Sequence, residues 1–473
     1  MLFSSNVFII YFLPIMLLIY YLCSFSKVLK NGVLLIGSLF FYAWGEPQYI
    51  ILIIISIIIN YLFGLIIDKY KKDKNKSKII IVMMLIFNVS ILFYYKYLGF
   101  IVRNINENLN INIHIKNRIL PIGISFFTFQ AISYVIDIYK ERAKVQKNPF
   151  YLGLYISFFP QLVAGPIVRY SDIADQIINR KETWQKISSG ICRFIIGLSK
   201  KVIIANSLAT VVDRIYIMNA EMTLTTSLAW LGAILYTLQI YYDFSGYSDM
   251  AIGLGLIFGF KFDENFNYPY ISKSVSEFWR RWHISLGKWF KDYVYIPLGG
   301  SRVKNKDRII KNLLIVWLLT GIWHGAEWNF FIWGIYNFIF IAIEKIISFE
   351  QIKCNKIVKH LYLLFVINIG WVIFRSADLI EAGNYISTMF GFRESAFWSS
   401  YTFMFIRENI VFILIGFMFS IPIARRTNEY IVTGKRGSLI FDIFYPFCIL
   451  FMFLICVTYL AKGTYNPFIY FNF

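Results

Sequence analysis

Charge is scarce in this chain. Only 16% of its 473 residues are Asp, Glu, Lys or Arg, against roughly a quarter in soluble domains. Histidine is rarer still, with four residues in all. The five cysteines, Cys23, Cys192, Cys354, Cys448 and Cys456, form no CxxC pair and no zinc spacing, which argues against a zinc ribbon or a dithiol redox site. Most lie in or beside apolar runs and read as inert core residues. There is no GxSxG elbow, no Walker lysine and no histidine pair at metal-binding spacing. GLGLIFG at 253–259 lacks a nucleotide-binding context. The first apolar run, from about Asn6 to Cys23, has neither a basic region before it nor a small-residue cleavage site, so it reads as a retained membrane helix.

Apolar sequence fills the space left by charge. The chain is 58% hydrophobic and 19% aromatic, and many runs reach the roughly 20 residues that cross a bilayer as helix. In lipid the backbone must satisfy its own hydrogen bonds, so these runs are helices; the alternation of a membrane barrel is absent. The expected fold is an all-α polytopic membrane protein of about eleven to thirteen hydrophobic segments. It reads as one domain, 1–473, in three parts. The N-terminal spans occupy 1–148 (Val7 to Leu22, Gly32 to Trp44, Tyr49 to Ile67, Ile79 to Tyr95, Leu120 to Tyr139). In 149–345 the apolar runs are interrupted by PQLVAGPIVRY, DFSGYSD, NYPYISKS and YIPLGGS. Such breaks are tolerated at membrane depth where protein or a water-filled cavity covers them. They suggest tilted and re-entrant helices around an interior cavity. Regular spans return in 346–473, near Leu361 to Phe374, Asn409 to Ala424 and Leu439 to Leu460.

The net charge of +20 has no nucleic-acid recognition motif beside it, and it collects in short loops facing anionic lipid. The basic loop Asp68 to Lys78, with Lys27, Lys30 and Lys140 to Lys147, reads as cytoplasmic. That places the N-terminus outside, and the basic loop RRTNEYIVTGKRG, read as cytoplasmic too, places the C-terminal tail outside.

A titratable ring at membrane depth is a functional candidate by default, and two of the histidines have that setting. His324 lies in TGIWHGAEW, between Trp323 and Trp328 and beside the small residues Thr320, Gly321 and Gly325. Desolvation favours its neutral form, which can accept a proton as a general base does. Glu327 lies three residues on, on the same helix face, positioned to orient the ring or to pair with a nearby arginine; the bland alternative is a core histidine satisfied by a carbonyl. His283 lies in SVSEFWRRWHISLGKWF, which reads as an amphipathic interfacial helix carrying Arg280, Arg281, Lys288 and Lys291 among Trp279, Trp282 and Trp289. Its basic groups also suit a phosphate-bearing donor. Asp243, Ser245, Ser248 and Asp249 suggest an ion site or proton relay. Ser125, Thr128, Gln130, Ser133 and Asp137 read as glue between helices, with Asp137 near the interface.

PIGISFFTFQAISYVIDIY, FFPQLVAGPIVRY, DFSGYSDMAIGLG, FWRRWHISLGKWFKDYVYIPLGG and TGIWHGAEWNFFIWG, in that order, resemble the membrane-bound O-acyltransferase family, and most closely its bacterial alginate and peptidoglycan O-acetyltransferase subunits. The resemblance covers nearly the whole chain. It implies a ring of tilted helices around a funnel or tunnel. It also implies that His324 is the principal catalytic residue and His283 a second functional one. The ending FIYFNF resembles an aromatic C-terminal motif of these subunits, in which Tyr470 would carry the acyl group; an aromatic anchor at the interface is the plain alternative.

The expected activity is acetyl transfer from cytoplasmic acetyl-coenzyme A, with no bound cofactor and no metal, toward an extracytoplasmic polysaccharide in the bacterial cell envelope. An SGNH-type transferase outside the bacterial cytoplasmic membrane would be the partner. Trp282, Arg280, Arg281, Lys288, Trp323, Glu327, Asp243 and Ser245 are candidate tunnel or donor contacts. D-alanyl transfer to teichoic acid, a transporter and a non-catalytic scaffold are the alternatives. Transporter halves would show as a repeat, and none is evident.

Overall fold

The computed structural model describes residues 1–116, 119–302, 305–393, 396–424, 435–463 and 465–469. Tyr470 therefore lies outside the described residues. Those residues form helices and connections, with no strand among them. Among the described residues, eight helices are long and apolar enough to cross a membrane.

In chain order the helices are α1 (Val7–Leu22), α2 (Lys27–Gly45), α3 (Pro47–Tyr70), α4 (Lys74–Leu109), α5 (Ile124–Tyr139), α6 (Pro149–Ser157), α7 (Tyr170–Asn179) and α8 (Trp184–Ala220). There follow α9 (Thr226–Ile257), α10 (Val275–Arg281), α11 (Ile284–Phe290), α12 (Lys306–His324), α13 (Trp328–Ile346), α14 (Lys356–Arg375), α15 (Leu379–Met389), α16 (Ser400–Phe419) and α17 (Lys435–Ala461). Short polar side chains start several of them by accepting the otherwise unbonded first-turn N–H groups. Asp73 accepts from the Asn75 and Lys76 amides at the start of α4, each at 3.1 Å. Asn305 does the same for Asp307 at the start of α12, at 2.8 Å.

The chain divides into two compact units, one from Met1–Phe194 with Met250–Asp263, the other from Ile195–Asp249 with Glu264–Phe473. In the first, α5 is nearly wholly buried, and Asp137 with it at 0% exposure. Asp137 is held by protein, its carboxylate accepting from the Ser171 amide at 3.1 Å. Lys30, read as a loop lysine, lies within α2 and pairs with Glu182 at 3.3 Å.

Two expectations about the middle region also change. DFSGYSD is not a break, because α9 runs through it as one helix of 32 residues. Its small residues serve close packing: a Cβ added at Gly246 would come within 2.7 Å of the Gly197 carbonyl oxygen. Conversely, SVSEFWRRWHISLGKWF is not one amphipathic helix. It splits into α10 and α11 at Trp282 and His283, both buried. Its tryptophans pack inward, where the Trp279 ring lies 5.0 Å from Trp317 and 5.4 Å from Trp333.

Candidate active site

The site lies in the second unit and is assembled from α9 to α14. The start of α10 is tied down by Glu344 of α13, which accepts from the Val275 and Ser276 amides at 2.6 and 2.8 Å. At the other end Trp282 is extended and His283 adopts φ 45°, ψ 53°. A histidine in the left-handed region costs backbone energy and persists only where surrounding bonds impose it. Those bonds come from the segment before α10. The Ile284 amide donates to the Asn265 carbonyl at 2.9 Å, and the Asn267 amide to the Arg281 carbonyl at 3.0 Å.

The Asn265 side chain fixes the imidazole. Its Oδ1 accepts from the Ser285 amide at 3.2 Å and the Ser285 hydroxyl at 2.9 Å, and lies 3.2 Å from His283 Nδ1. An amide N–H can only donate, so the atom facing Ser285 is the oxygen, and His283 Nδ1 must carry the proton. The Asn265 amide nitrogen donates to Ser248 of α9 at 3.0 Å. His283 Nε2 is then a bare acceptor, buried without a protein partner. Phe244 stands edge-on to this ring at 4.7 Å.

His324 is the last residue of α12; Gly325 is already extended, with φ −165°. The crossing of α12 with α13 depends on the absence of side chains. A Cβ at Gly321 would lie 2.5 Å from the Phe330 carbonyl oxygen, and one at Gly334 2.6 Å from that of Trp317. The His324 ring is walled by Trp323 and Trp333, each at 5.0 Å, and Phe374 at 5.2 Å. Because α12 ends at His324, Glu327 is not on its helix. Glu327 is the extended residue that opens α13, which overturns the shared-face expectation.

Both histidines line one cavity of about 170 Å³. Trp279, Trp282 and Trp317 form much of its apolar wall, with Thr320 one turn before His324. Trp323 lies behind the wall, between the two rings and 6.1 Å from His283. Of the basic residues, Lys291 reaches the cavity lining. Lys288 is half-buried and off it. Arg280 is spent on an exposed pair with Glu350 at 2.7 Å, and Arg281 on Glu277 at 3.0 Å. Asp243 and Asp249 are not a shared carboxylate site. Each pairs with its own lysine of α8, Lys201 at 2.5 Å and Lys200 at 2.6 Å. Ser245 is buried on α9, away from the cavity lining. Among the described residues no three His, Cys, Asp or Glu side chains converge as a metal site requires.

Asn265, Ser285, Trp317 and Lys201 escaped the sequence reading. Lys201 carried a signal, a lysine within an apolar run; Asn265 in FDENFNYPY carried none.

Helices long enough to span a bilayer thus accompany two buried histidines that share one cavity. Residues 38–375 match the membrane-bound O-acyltransferase family, and the chain belongs to that family of acyltransferases. It is 43% identical over 397 residues to the probable alginate O-acetylase of Pseudomonas syringae pv. tomato, covering 83% of this chain and 76% of the relative. The probable alginate O-acetylase of Pseudomonas putida is 37% identical over 497 residues, covering the whole of both chains. The peptidoglycan O-acetyltransferase of Helicobacter pylori is 37% identical over 427 residues, covering 83% and 80%.

Proposed function

We propose that this protein moves an acetyl group from acetyl-coenzyme A at the cytoplasmic face of a bacterial cell membrane toward O-acetylation of an extracytoplasmic polysaccharide. The observation that carries the reading is the single cavity shared by His283 and His324. Its volume, about 170 Å³, is well below the roughly 300–1,000 Å³ of pockets for drug-sized ligands. It suits a short acyl thioester better than a fatty chain. The names of the relatives support the acetyl group and the polysaccharide.

In this mechanism a hydroxyl in the cavity attacks the thioester carbonyl. His324 takes the hydroxyl proton, the C–S bond breaks as the C–O ester bond forms, and the proton passes to the departing thiolate. His283, with Nδ1–H held by Asn265, presents Nε2 as an acceptor. It therefore does not donate to the oxyanion, and since the hydroxyl's single proton goes to His324, Nε2 accepts from another donor, such as a pantetheine amide N–H of coenzyme A. The first ester is made on Tyr470 of the outward-facing tail, and an SGNH-type transferase carries the acetyl group onward to sugar. Lys291 serves the donor's phosphates. The aromatic wall keeps water from the thioester.

A second assignment exchanges the roles of the two rings. It is favoured by the hydrogen bond on His283, since a histidine whose other nitrogen is held by an acceptor is well prepared as a base. The test is transfer of label from [¹⁴C]acetyl-coenzyme A to purified protein, with mass spectrometry of the C-terminal peptide. Label on Tyr470 that disappears in His324→Gln and Tyr470→Phe is the expected result. Label that survives His324→Gln and disappears in His283→Gln establishes the exchanged assignment. Transfer of D-alanine but not acetate would overturn the donor.

A further inference from the structure

Lys201 and Asp243 are each 2% exposed, in a unit whose other buried surface is largely apolar. Lys201 projects from α8 where that helix widens into π-helical turns at Lys200–Ala205, a distortion that often marks a functional position. A buried ion pair is stabilising only if the remaining donors and acceptors of both partners are also met. The 2.5 Å approach is an ionic contact, not an aligned hydrogen bond. Both groups direct hydrogen bonds elsewhere, to the backbone of the chain's last described residues. Lys201 Nζ donates to the Pro467 carbonyl. The Ile469 amide donates to Asp243 Oδ2 at 3.0 Å.

Neighbouring contacts continue the same track. Asn206 donates to the Asn466 side chain at 3.1 Å. The Tyr465 hydroxyl donates to Asp213 at 2.8 Å, and Asp213 is itself held by Arg375 at 2.6 Å. Between the two backbone contacts, Phe468 is buried, 4.9 Å from the Tyr247 ring and 5.7 Å from the Lys201 ammonium. Side chains at 465, 466 and 468 and backbone groups at 467 and 469 are thus each matched by a residue of α8 or α9. A set of contacts this dense fixes register through its side chains: a shift of one residue would take Phe468 from the Tyr247 ring and the Tyr465 hydroxyl from Asp213.

We propose that Lys201 and Asp243 form a register clamp for the chain's own C-terminal tail, and so act as positioning residues for the residue that follows it. The clamp adjoins the site along α9, since Phe244, next to Asp243, packs against His283 at 4.7 Å. The residue after Ile469 is Tyr470. The proposal rests on the reading of Tyr470 as acyl acceptor, and its test separates the two.

The ion pair and the clamp can be uncoupled. The exchange Lys201→Asp with Asp243→Lys keeps opposite charges facing each other. It reverses their hydrogen-bonding sense, so neither the Pro467 carbonyl nor the Ile469 amide finds its partner. Ile469→Pro removes the one N–H and leaves the pair untouched, which covers the case where the exchanged pair does not fold. The full-length protein in detergent is digested with a carboxypeptidase that releases proline and is followed by intact mass, and in parallel labelled with [¹⁴C]acetyl-coenzyme A. Trimming of the wild type should stall at the clamp. The folded variants should be trimmed past Ile469, with label on Tyr470 falling about tenfold or more for each hydrogen bond to a charged partner that is lost. Folded variants trimmed no further than wild type would overturn the clamp. A released tail with undiminished label would overturn its positioning role. Trimming as expected, with Tyr470 unlabelled in every protein, would uphold the clamp and remove the relay.

Discussion

In the unit formed by Met1–Phe194 and Met250–Asp263, the buried charges of Lys30 and Arg180 are answered by the half-buried Glu182. Glu182 pairs with Lys30 at 3.3 Å and Arg180 at 3.7 Å, and accepts from the Tyr20 hydroxyl at 2.5 Å. Arg180 donates to Asn31 at 2.6 Å and to the Phe258 carbonyl at 3.1 Å. In the other unit, His283 is held at one nitrogen and its second nitrogen has no protein partner, while His283 and His324 open on a void. The first arrangement uses polar groups to lock helices together. The second holds a ring still while leaving an acceptor unused at a cavity wall. Burial alone therefore does not mark function in a membrane protein. A buried polar atom that a partner orients beside a cavity makes the stronger candidate.

The contrast fails if the two regions respond alike to loss of a polar group. His324→Gln should carry the largest effect, a fall in acetyl transfer of about 10²–10⁴-fold, the usual contribution of a general base, with the thermal unfolding midpoint little changed. Arg180→Met should do the reverse. Removing one partner from a buried charge network costs about 3 kcal/mol or more, so unfolding should come at lower temperature while the folded fraction keeps its specific activity. Unfolding and transfer assays on the same preparations check both. A large stability loss in His324→Gln would place that ring with the structural class.

A finer test lies within the second unit. Asn265→Ala leaves His283 Nδ1 without its acceptor and frees the tautomer, while Asn265→Asp keeps an acceptor in place. Transfer should fall about tenfold to a hundredfold in the alanine variant, by analogy with other partners that orient functional histidines. It should recover substantially with aspartate. Equal losses in both would mean that the amide's donation to Ser248, which aspartate cannot make, and not the hold on His283, accounts for the position.

The spans were legible because hydrophobicity is a local signal and a bilayer-length run has few other readings. The two histidines were legible for the same reason, as polar residues where polarity is expensive. The break at His283 was not. FWRRWHISLGKWF carries helical patterning on both sides of the turn, and the bonds that impose φ 45° come from Asn265 and Asn267, far back in the sequence. DFSGYSD misled in the opposite direction. Gly, Ser and Asp together signal a turn in water, but within α9 Gly246 makes room for a neighbouring backbone and Asp243 and Asp249 find lysines on α8. Glu327 was misplaced by one assumption, that the helix continues past His324. Non-local pairing leaves no mark on local spacing, so the anchors of the site stayed hidden although its principal residues did not.

The smallest effect tests the other side of the comparison. Burial alone would raise the Glu182 carboxyl, but the Tyr20 hydrogen bond and the Lys30 ammonium outweigh it and hold the group below its ordinary value of 4.5. A carboxyl lowered in the folded state contributes stability that is fully present above its unfolded value. That contribution is lost as pH falls through the folded one. Thermal unfolding followed from pH 6 downward should therefore show a wild-type midpoint that drops in the acid range below 4.5. Glu182→Gln should start lower and lack that component of the fall. If the two proteins lose stability in parallel, the Lys30–Arg180–Glu182 cluster is not a lock of the kind described, and the distinction from the histidine cavity loses its first term.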